Sequence, residues 1–241
     1  MQRHTLSPLI VALDVATADE ALTIVERLGQ DNLFVKVGFK LFCSEGPPLI
    51  KKLVSQGIDV FIDLKLHDIP NTVREGVKEL AALGVRMITV HCAGGSAMLE
   101  AALDGAEEGA SARRPLIVGV TQLTSTSQKV LNEEIGIPGS VEQAVSHYAR
   151  LAERAGLDGV VCSVQEVPLI KASCGSSFLT VTPGIRPAGS SHDDQVRVST
   201  PSDALKAGSD FLVVGRPILK QDDPAQAYGA IWNEMRKAGL K

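Results

Sequence analysis

Residues 63–68 read DLKLHD and place closely spaced ionisable side chains at the end of an apolar run. Asp63, Lys65 and His67 alternate with two leucines, and this period of two predicts a β-strand with the charges on one face and the leucines on the other. If the leucines pack under helices, the charges point into the protein. Buried charges are costly unless they are paired or used. This stretch is therefore the first candidate for a catalytic site.

Lys65 lies between two acidic residues, Asp63 and Asp68, and we expect Lys36 and Asp14 to lie near them. Neighbouring carboxylates favour the charged form of a lysine. A lysine that forms a Schiff base must instead be neutral, which disfavours a lysine-dependent aldolase. We therefore predict that Lys65 is a proton donor. Such a residue suits a reaction that generates a carbanion and must then protonate it.

The motifs of several other enzyme classes do not occur in this sequence. The five histidines have no spacing typical of metal ligands, such as HExxH. There is no P-loop, no GxGxxG and no GxSxG. The sequence therefore carries no signature of a metal site, a nucleotide-binding glycine loop or a serine hydrolase.

The chain contains eight short apolar runs that are typical of buried strands and alternate with amphipathic segments that mostly end at a glycine. The runs are LIVAL (9–13), LFVKVGF (33–39), DVFIDL (59–64), RMITVH (86–91), LIVGVTQL (116–123), GVVCSV (159–164), FLTVTPG (178–184) and FLVVG (211–215). Parallel neighbouring strands need such crossover segments. Eight units in 241 residues predict an α/β fold, a single-domain (β/α)₈ TIM barrel spanning residues 1–241. A doubly wound open sheet is the alternative.

Polar residues follow or end most of these runs, at the end of the barrel where active sites gather. They include Asp14, Lys36, Asp63, Lys65, Asp68, Gln122, Thr124, Arg186, Gly215 and Arg216. An ion-pair network that holds the barrel mouth together could explain any one of them. Five ionisable groups on three neighbouring strand ends are more charge than that role requires.

The last two strands predict a phosphate site. Gly215 would let the backbone approach an anion, and Arg216 could bind it through two nitrogens. The long loop at 184–200 is rich in Gly, Pro and Ser and carries Arg186 and Gln195. Loops of this length in compact domains are often lids, so we predict that it closes over the phosphate.

The composition argues against several partners. A net charge of -4 and only nine aromatic residues (six Phe, two Tyr and one Trp) disfavour nucleic-acid binding. No apolar run approaches the length of a membrane span, so we predict no membrane association. The four cysteines form no CxxC pair and are expected to be reduced, which favours a cytoplasmic protein.

The stretch DLKLHDIPNTV (63–73) resembles the most diagnostic segment of the orotidine 5'-phosphate decarboxylase family. LDV, FVKVG, QLTS, TPGIRP with the following DDQ, and VVGRPI are similar to further family motifs and occur in the same order, so the resemblance runs from residue 9 to 218. It implies decarboxylation of orotidine 5'-monophosphate (OMP) to UMP and CO₂, the last step of de novo pyrimidine nucleotide synthesis, without metal or cofactor. It also implies a homodimer with shared active sites.

The resemblance further implies a role for each candidate residue. Asp63 would lie against the substrate carboxylate, Lys65 would protonate C6, and Lys36 and Asp68 would complete the catalytic charge array, with Asp68 and Thr72 entering the partner subunit's site. The substrate-binding residues would be Asp14, Lys36 and Thr72 at the ribose, Thr124 at the pyrimidine, and Arg186, Gln195, Gly215 and Arg216 at the phosphate.

Two other functions stay open. A Mg²⁺-dependent sugar-phosphate decarboxylase or synthase on the same barrel would carry a metal-binding carboxylate on the second strand, where this chain has Lys36. A non-catalytic nucleotide-phosphate-binding protein would need the phosphate loop but not a lysine between two acids.

Overall fold

A computed structural model describes residues 6–187 and 199–240 of the chain. Its eight parallel strands form one closed barrel in sequence order. They are β1 (Leu9–Ala12), β2 (Phe34–Gly38), β3 (Asp59–Leu66), β4 (Met87–His91), β5 (Leu116–Val120), β6 (Gly159–Val161), β7 (Leu179–Thr182) and β8 (Phe211–Val214). The first strand pairs with both β2 and β8 and so closes the barrel. The predicted (β/α)₈ barrel is confirmed, and the open sheet is excluded.

Helices follow the strands and cover the outside of the barrel. Over the described ranges they are α1 (Ala18–Leu28), α2 (Phe39–Ser55), α3 (Pro70–Ala82), α4 (Gly95–Gly109), α5 (Val141–Arg154), α6 (Val167–Cys174), α7 (Pro201–Ala207), α8 (Arg216–Leu219) and α9 (Pro224–Lys237). Short 3₁₀ turns at Cys92–Gly94 and Val164–Glu166 and a π turn at Val130–Glu134 complete the connections. None of the helices in these ranges is long and apolar enough to cross a membrane.

Helix ends follow from local sequence signals. The Thr17 hydroxyl accepts a hydrogen bond from the Glu20 amide at the start of α1, and Gly29 ends this helix in the left-handed conformation. At α5, Ser140 and Gln143 form a reciprocal capping box. These caps satisfy backbone groups that the helix itself cannot pair.

The core has two layers. The first layer fills the barrel interior, with one large apolar side chain from each of β1 to β7 and two from β8. The second layer lies between the strands and the helices. The interior cluster consists of Ile10, Phe34, Phe61, Met87, Val118, Val181, Phe211 and Val213, with Val161 packed against it. This filling makes the barrel a packed core that rigidly supports the strand ends.

Helices α3 and α4, which follow the strands β3 and β4, pack in very close contact. A Cβ atom at Gly105 or at Gly109 would lie 2.2 Å from a backbone carbonyl oxygen of α3. Only glycine allows this approach. The close packing fixes the helices that follow β3, which carries Asp63 and Lys65, and its neighbour β4.

Charged residues at the amino-terminal end of the barrel are paired with each other. Both terminal nitrogens of Arg114 donate to the Asp158 carboxylate, at 2.9 and 2.7 Å, and the same carboxylate accepts the Ile117 amide at 2.7 Å. Lys171 similarly binds Asp210 at 2.7 Å. These ion pairs tie neighbouring units together at the end opposite the carboxyl ends of the strands.

Candidate active site

A cavity of about 470 Å³ opens at the carboxyl ends of the strands. Its walls include eight of the residues predicted for the site: Asp14, Lys36, Asp63, Lys65, Thr124, Arg186, Gly215 and Arg216. They come from β1, β2, β3, the β5 end, the β7 end and the β8 end, because all parallel strands end at the same face. The barrel therefore brings these scattered positions into one site.

Asp63 is the centre of the charge cluster in this cavity. Its Oδ2 atom lies 3.1 Å from Lys36 Nζ, and its Oδ1 atom lies 2.8 Å from Lys65 Nζ. The Asp63 side chain is only 14% exposed. One largely buried carboxylate thus holds two ammonium groups that both line the cavity.

The electrostatic balance at Asp63 favours its ionised form. Burial by itself would raise the pKa of this carboxyl, but the charges of Lys36 and Lys65 and their hydrogen bonds outweigh burial and hold the pKa below 3.8. Asp63 is therefore an anion at neutral pH. A second anion placed against it would be repelled.

The backbone of Lys65 adopts an unusual conformation. Its φ of 51° lies in the left-handed region, which residues other than glycine rarely adopt. The pairing of β3 with β4 is interrupted at the same place: Ile62 pairs with Ile88, and the next pair is Leu66 with Val90. Four steps along β3 thus match two along β4. Strand irregularities of this kind redirect side chains and are frequent next to active sites.

The alternation predicted for DLKLHD is confirmed for Asp63 and Lys65, which both line the cavity, and for Leu64, which is buried. His67 is different, because it lies beyond β3, is exposed and stacks on His91 with ring centroids 5.3 Å apart. Burial lowers the pKa of His91, and the nearby charges of His67 and Lys65 lower it further. Neither histidine lines the cavity.

The wall at β8 has the features of an anion site. Gly215 precedes the short helix α8, and Arg216 is its first residue. Arg186 follows the neighbouring strand β7; it is 7% exposed, and its Nη1 donates to the Ile185 carbonyl at 2.9 Å. Two arginines that follow β7 and β8 therefore line the cavity together with the two lysines of β2 and β3.

The predicted lid at 184–200 lies mostly outside the described residues. Its two ends are joined, because the Arg186 amide donates to the Ser199 carbonyl and the Ser199 amide donates to the Gly184 carbonyl. Residues 188–198, which include Gln195, are outside the described part of the chain. The lid and the role of Gln195 stay predictions.

Asp68 and Thr72 do not line the cavity of their own chain. Both are exposed, and Ile69 between them is 68% exposed. The Asp68 Oδ1 atom accepts a hydrogen bond from the amide of the next residue, Ile69, at 2.6 Å. Both residues therefore lie outside the pocket of their own chain and are accessible at the surface.

Two buried polar residues, one in contact with the charge cluster and one in the cavity wall, have no role assigned from the sequence. Thr89, on β4, is fully buried and contacts both Asp63 and Lys65 through its hydroxyl. Gln122, just after β5, is buried and lines the cavity. In the sequence, Thr89 is a single threonine in the apolar strand MITVH. A lone threonine in a strand does not indicate a role in a site.

Comparisons with known proteins show the family to which the chain belongs. The sequence profile described as "Orotidine 5'-phosphate decarboxylase / HUMPS family" matches residues 7–231. An orotidine 5'-phosphate decarboxylase of Geobacillus sp. (strain WCH70) is 51% identical over 231 residues, which cover 95% of this chain and 97% of that protein. One from Bacillus cytotoxicus is 51% identical over 225 residues, covering 92% and 94% of the two chains.

A solved structure is also similar. The crystal structure of orotidine 5'-phosphate decarboxylase from Lactobacillus acidophilus has a TM-score of 0.87 and 44% sequence identity to this chain. The match covers 95% of this chain and 98% of that one. The family profile covers residues 7–231 and the relatives match over nearly the whole length, so the chain belongs to the orotidine 5'-phosphate decarboxylase / HUMPS family.

Proposed function

We propose that this protein decarboxylates orotidine 5'-monophosphate to UMP and CO₂, with Lys65 as the proton donor to C6. The observation that carries the proposal is Asp63, held between Lys36 and Lys65 at distances of 3.1 and 2.8 Å inside a cavity that two arginines border elsewhere. A substrate with a carboxylate and a phosphate matches this distribution of charge.

The residues act in a simple sequence of steps. The substrate carboxylate is placed against the ionised Asp63, where like charges destabilise the bound ground state. The bond between C6 and the carboxyl carbon breaks, CO₂ leaves, and the electron pair stays on C6. The Lys65 ammonium stabilises this charge and then transfers a proton to C6, which gives UMP and a neutral lysine that solvent reprotonates. Lys36 keeps Asp63 ionised throughout.

Other predicted residues bind the remainder of the substrate. Asp14 and Lys36 would hold the ribose hydroxyls, and Thr124 would contact the pyrimidine edge. Gly215 and Arg216, with Arg186, would hold the phosphate through backbone and guanidinium nitrogens. Binding energy from the phosphate can then be used to position the pyrimidine over Lys65.

We further propose that the protein is a homodimer in which Asp68 and Thr72 enter the partner subunit's site. Their exposure outside their own cavity, and the 68% exposure of Ile69 between them, support an interface on this segment. A cytoplasmic location is inferred from the four free thiols.

A Mg²⁺-dependent sugar-phosphate decarboxylase or synthase on the same barrel is the second candidate. Lys36 weighs against it. Its Nζ lies 3.1 Å from Asp63 Oδ2, where a cation already neutralises the carboxylate that would bind the metal.

The deciding experiment mixes the purified protein with OMP in excess EDTA and follows the loss of substrate ultraviolet absorbance. Turnover at the same rate with and without EDTA is the expected result. No turnover by folded protein that still binds UMP would favour a nucleotide-binding protein. If the protein shows no turnover and does not bind UMP, the next assays are made with sugar phosphates and Mg²⁺.

A further inference from the structure

We propose that Thr89 is a positioning residue for the decarboxylation, because its hydroxyl holds Lys65 and Asp63 in their relative geometry. The expected changes in kcat rest on the proposed function, because they are measured with OMP. Thr89 does not line the cavity, so it acts on the substrate only through these two residues.

One hydroxyl group makes both contacts. Thr89 Oγ1 accepts a hydrogen bond from the Lys65 backbone amide at 2.8 Å and donates one to Asp63 Oδ1 at 3.1 Å. The residue is fully buried, so water does not compete for either bond. Thr89 therefore connects the backbone of the lysine to the side chain of the aspartate.

The backbone contact replaces a hydrogen bond that the sheet cannot make. Between the pairs Ile62–Ile88 and Leu66–Val90, β3 departs from the ladder with β4. The Lys65 amide falls in this interval and would lack an acceptor if the Thr89 hydroxyl were absent. Lys65 has a positive φ of 51°, which persists only where surrounding contacts enforce it.

The side-chain contact fixes the rotation of the carboxylate. Asp63 Oδ1 receives both Lys65 Nζ and the Thr89 hydroxyl, while Oδ2 faces Lys36. Without the hydroxyl, the carboxylate can rotate about its Cβ–Cγ bond, and the Lys65 backbone can relax toward an extended conformation. Either change moves the ammonium relative to a bound pyrimidine, and a displacement of about 1 Å can cost about 100-fold in rate.

The test compares Thr89→Val, which keeps the shape and removes the hydroxyl, with Thr89→Ser, which keeps the hydroxyl. We expect Thr89→Val to lower kcat for OMP by about 100-fold and to change the Kd for UMP by less than about 3-fold. Thr89→Ser should recover kcat to within about 5-fold of wild type. A purely structural role would lower stability without this separation of kcat from UMP binding.

Two kinetic results would overturn the proposal: a Thr89→Val enzyme with kcat within about 2-fold of wild type, or a Thr89→Ser enzyme as slow as Thr89→Val. If Thr89→Val does not fold, the rate of hydrogen exchange at the Lys65 amide of the wild-type protein tests the hydrogen bond to Thr89 instead. Slow exchange supports the hydroxyl bond, and exchange at the rate of an unprotected amide refutes it. This measurement does not need OMP, so a wild type inactive on OMP would refute the proposed function alone.

Discussion

Lys65 Nζ and Asp63 Oδ1 lie 2.8 Å apart although the two residues are separated by a single leucine in one strand. The left-handed backbone at Lys65 and the interruption of the β3–β4 ladder accompany this geometry. The ammonium is therefore held beside a carboxylate and still faces the cavity.

Lys65→Ala should lower kcat for OMP by at least about 1,000-fold, because it removes the group proposed to donate the proton. The variant should remain folded and bind UMP, since Lys36 still pairs with Asp63. Steady-state kinetics and UMP titration check this, with Lys52→Ala on the exposed face of α2 as the control. Turnover near the wild-type rate would refute the assignment.

The ion pairs of Asp63 should contribute to the free energy of unfolding near neutral pH and lose this contribution in acid. The pKa of Asp63 is lower in the folded protein than its ordinary 3.8, so the stabilisation is present above pH 3.8 and is lost as pH falls through the folded pKa. The difference in unfolding free energy between wild type and Asp63→Asn should therefore be constant near neutral pH and shrink below 3.8. Urea titrations across pH measure it, with Asp104→Asn as control; a difference that grows in acid would contradict the direction.

Arg216→Ala should lower kcat/KM for OMP by about 100-fold but leave the slow turnover of phosphate-free orotidine unchanged. The reason is that Arg216 acts only through the phosphate. Parallel assays of both substrates, with Arg150→Ala on α5 as the control, test this. An equal loss for both substrates would place Arg216 elsewhere in the mechanism.

Mixing inactive Lys65→Ala and Asp68→Ala proteins should restore activity if the sites are shared between subunits. Random exchange should give about one quarter of wild-type activity, because half of the dimers are mixed and each has one intact site. Activity after mixing, with exchange verified by differently tagged subunits, is the measurement. No recovery despite exchange would count against a shared site.

The ion pair at the opposite end of the barrel should support stability and not catalysis. Asp158→Ala removes the acceptor of two Arg114 nitrogens and of the Ile117 amide, so we expect a loss of about 2–4 kcal/mol in unfolding free energy. The exposed pair Lys129–Glu133 is the control, and Lys129→Ala should cost less than about 0.5 kcal/mol. Chemical denaturation measures both, and kcat should stay unchanged; a parallel loss of kcat would show coupling between the two ends.

Much of the site could be predicted because a parallel barrel converts strand order into spatial proximity. The positions of Asp14, Lys36, Asp63 and Lys65 at strand ends alone predict that they lie together, and all four line the cavity. The strand limits were less exact, and the fifth run is a strand only over Leu116–Val120. Polar residues after Val120 line the cavity instead of continuing the sheet.

The backbone at Lys65 and the role of Thr89 could not be predicted. A lysine has no intrinsic preference for positive φ, so the conformation depends on contacts with β4 that have no local signal. The alternation of DLKLHD also suggested that His67 continues the charged face, but the irregular end of β3 and the stacking with His91 place it elsewhere. Such features arise from tertiary packing.

The positive φ at Lys65 also has a consequence for protein engineering. Glycine adopts this conformation without a steric penalty, so Lys65→Gly should be less destabilised by its backbone than Lys65→Ala. A library selected for heat resistance alone would therefore tend to enrich glycine at the position whose ammonium faces Asp63. Directed evolution of a more robust variant needs a selection for turnover in every round.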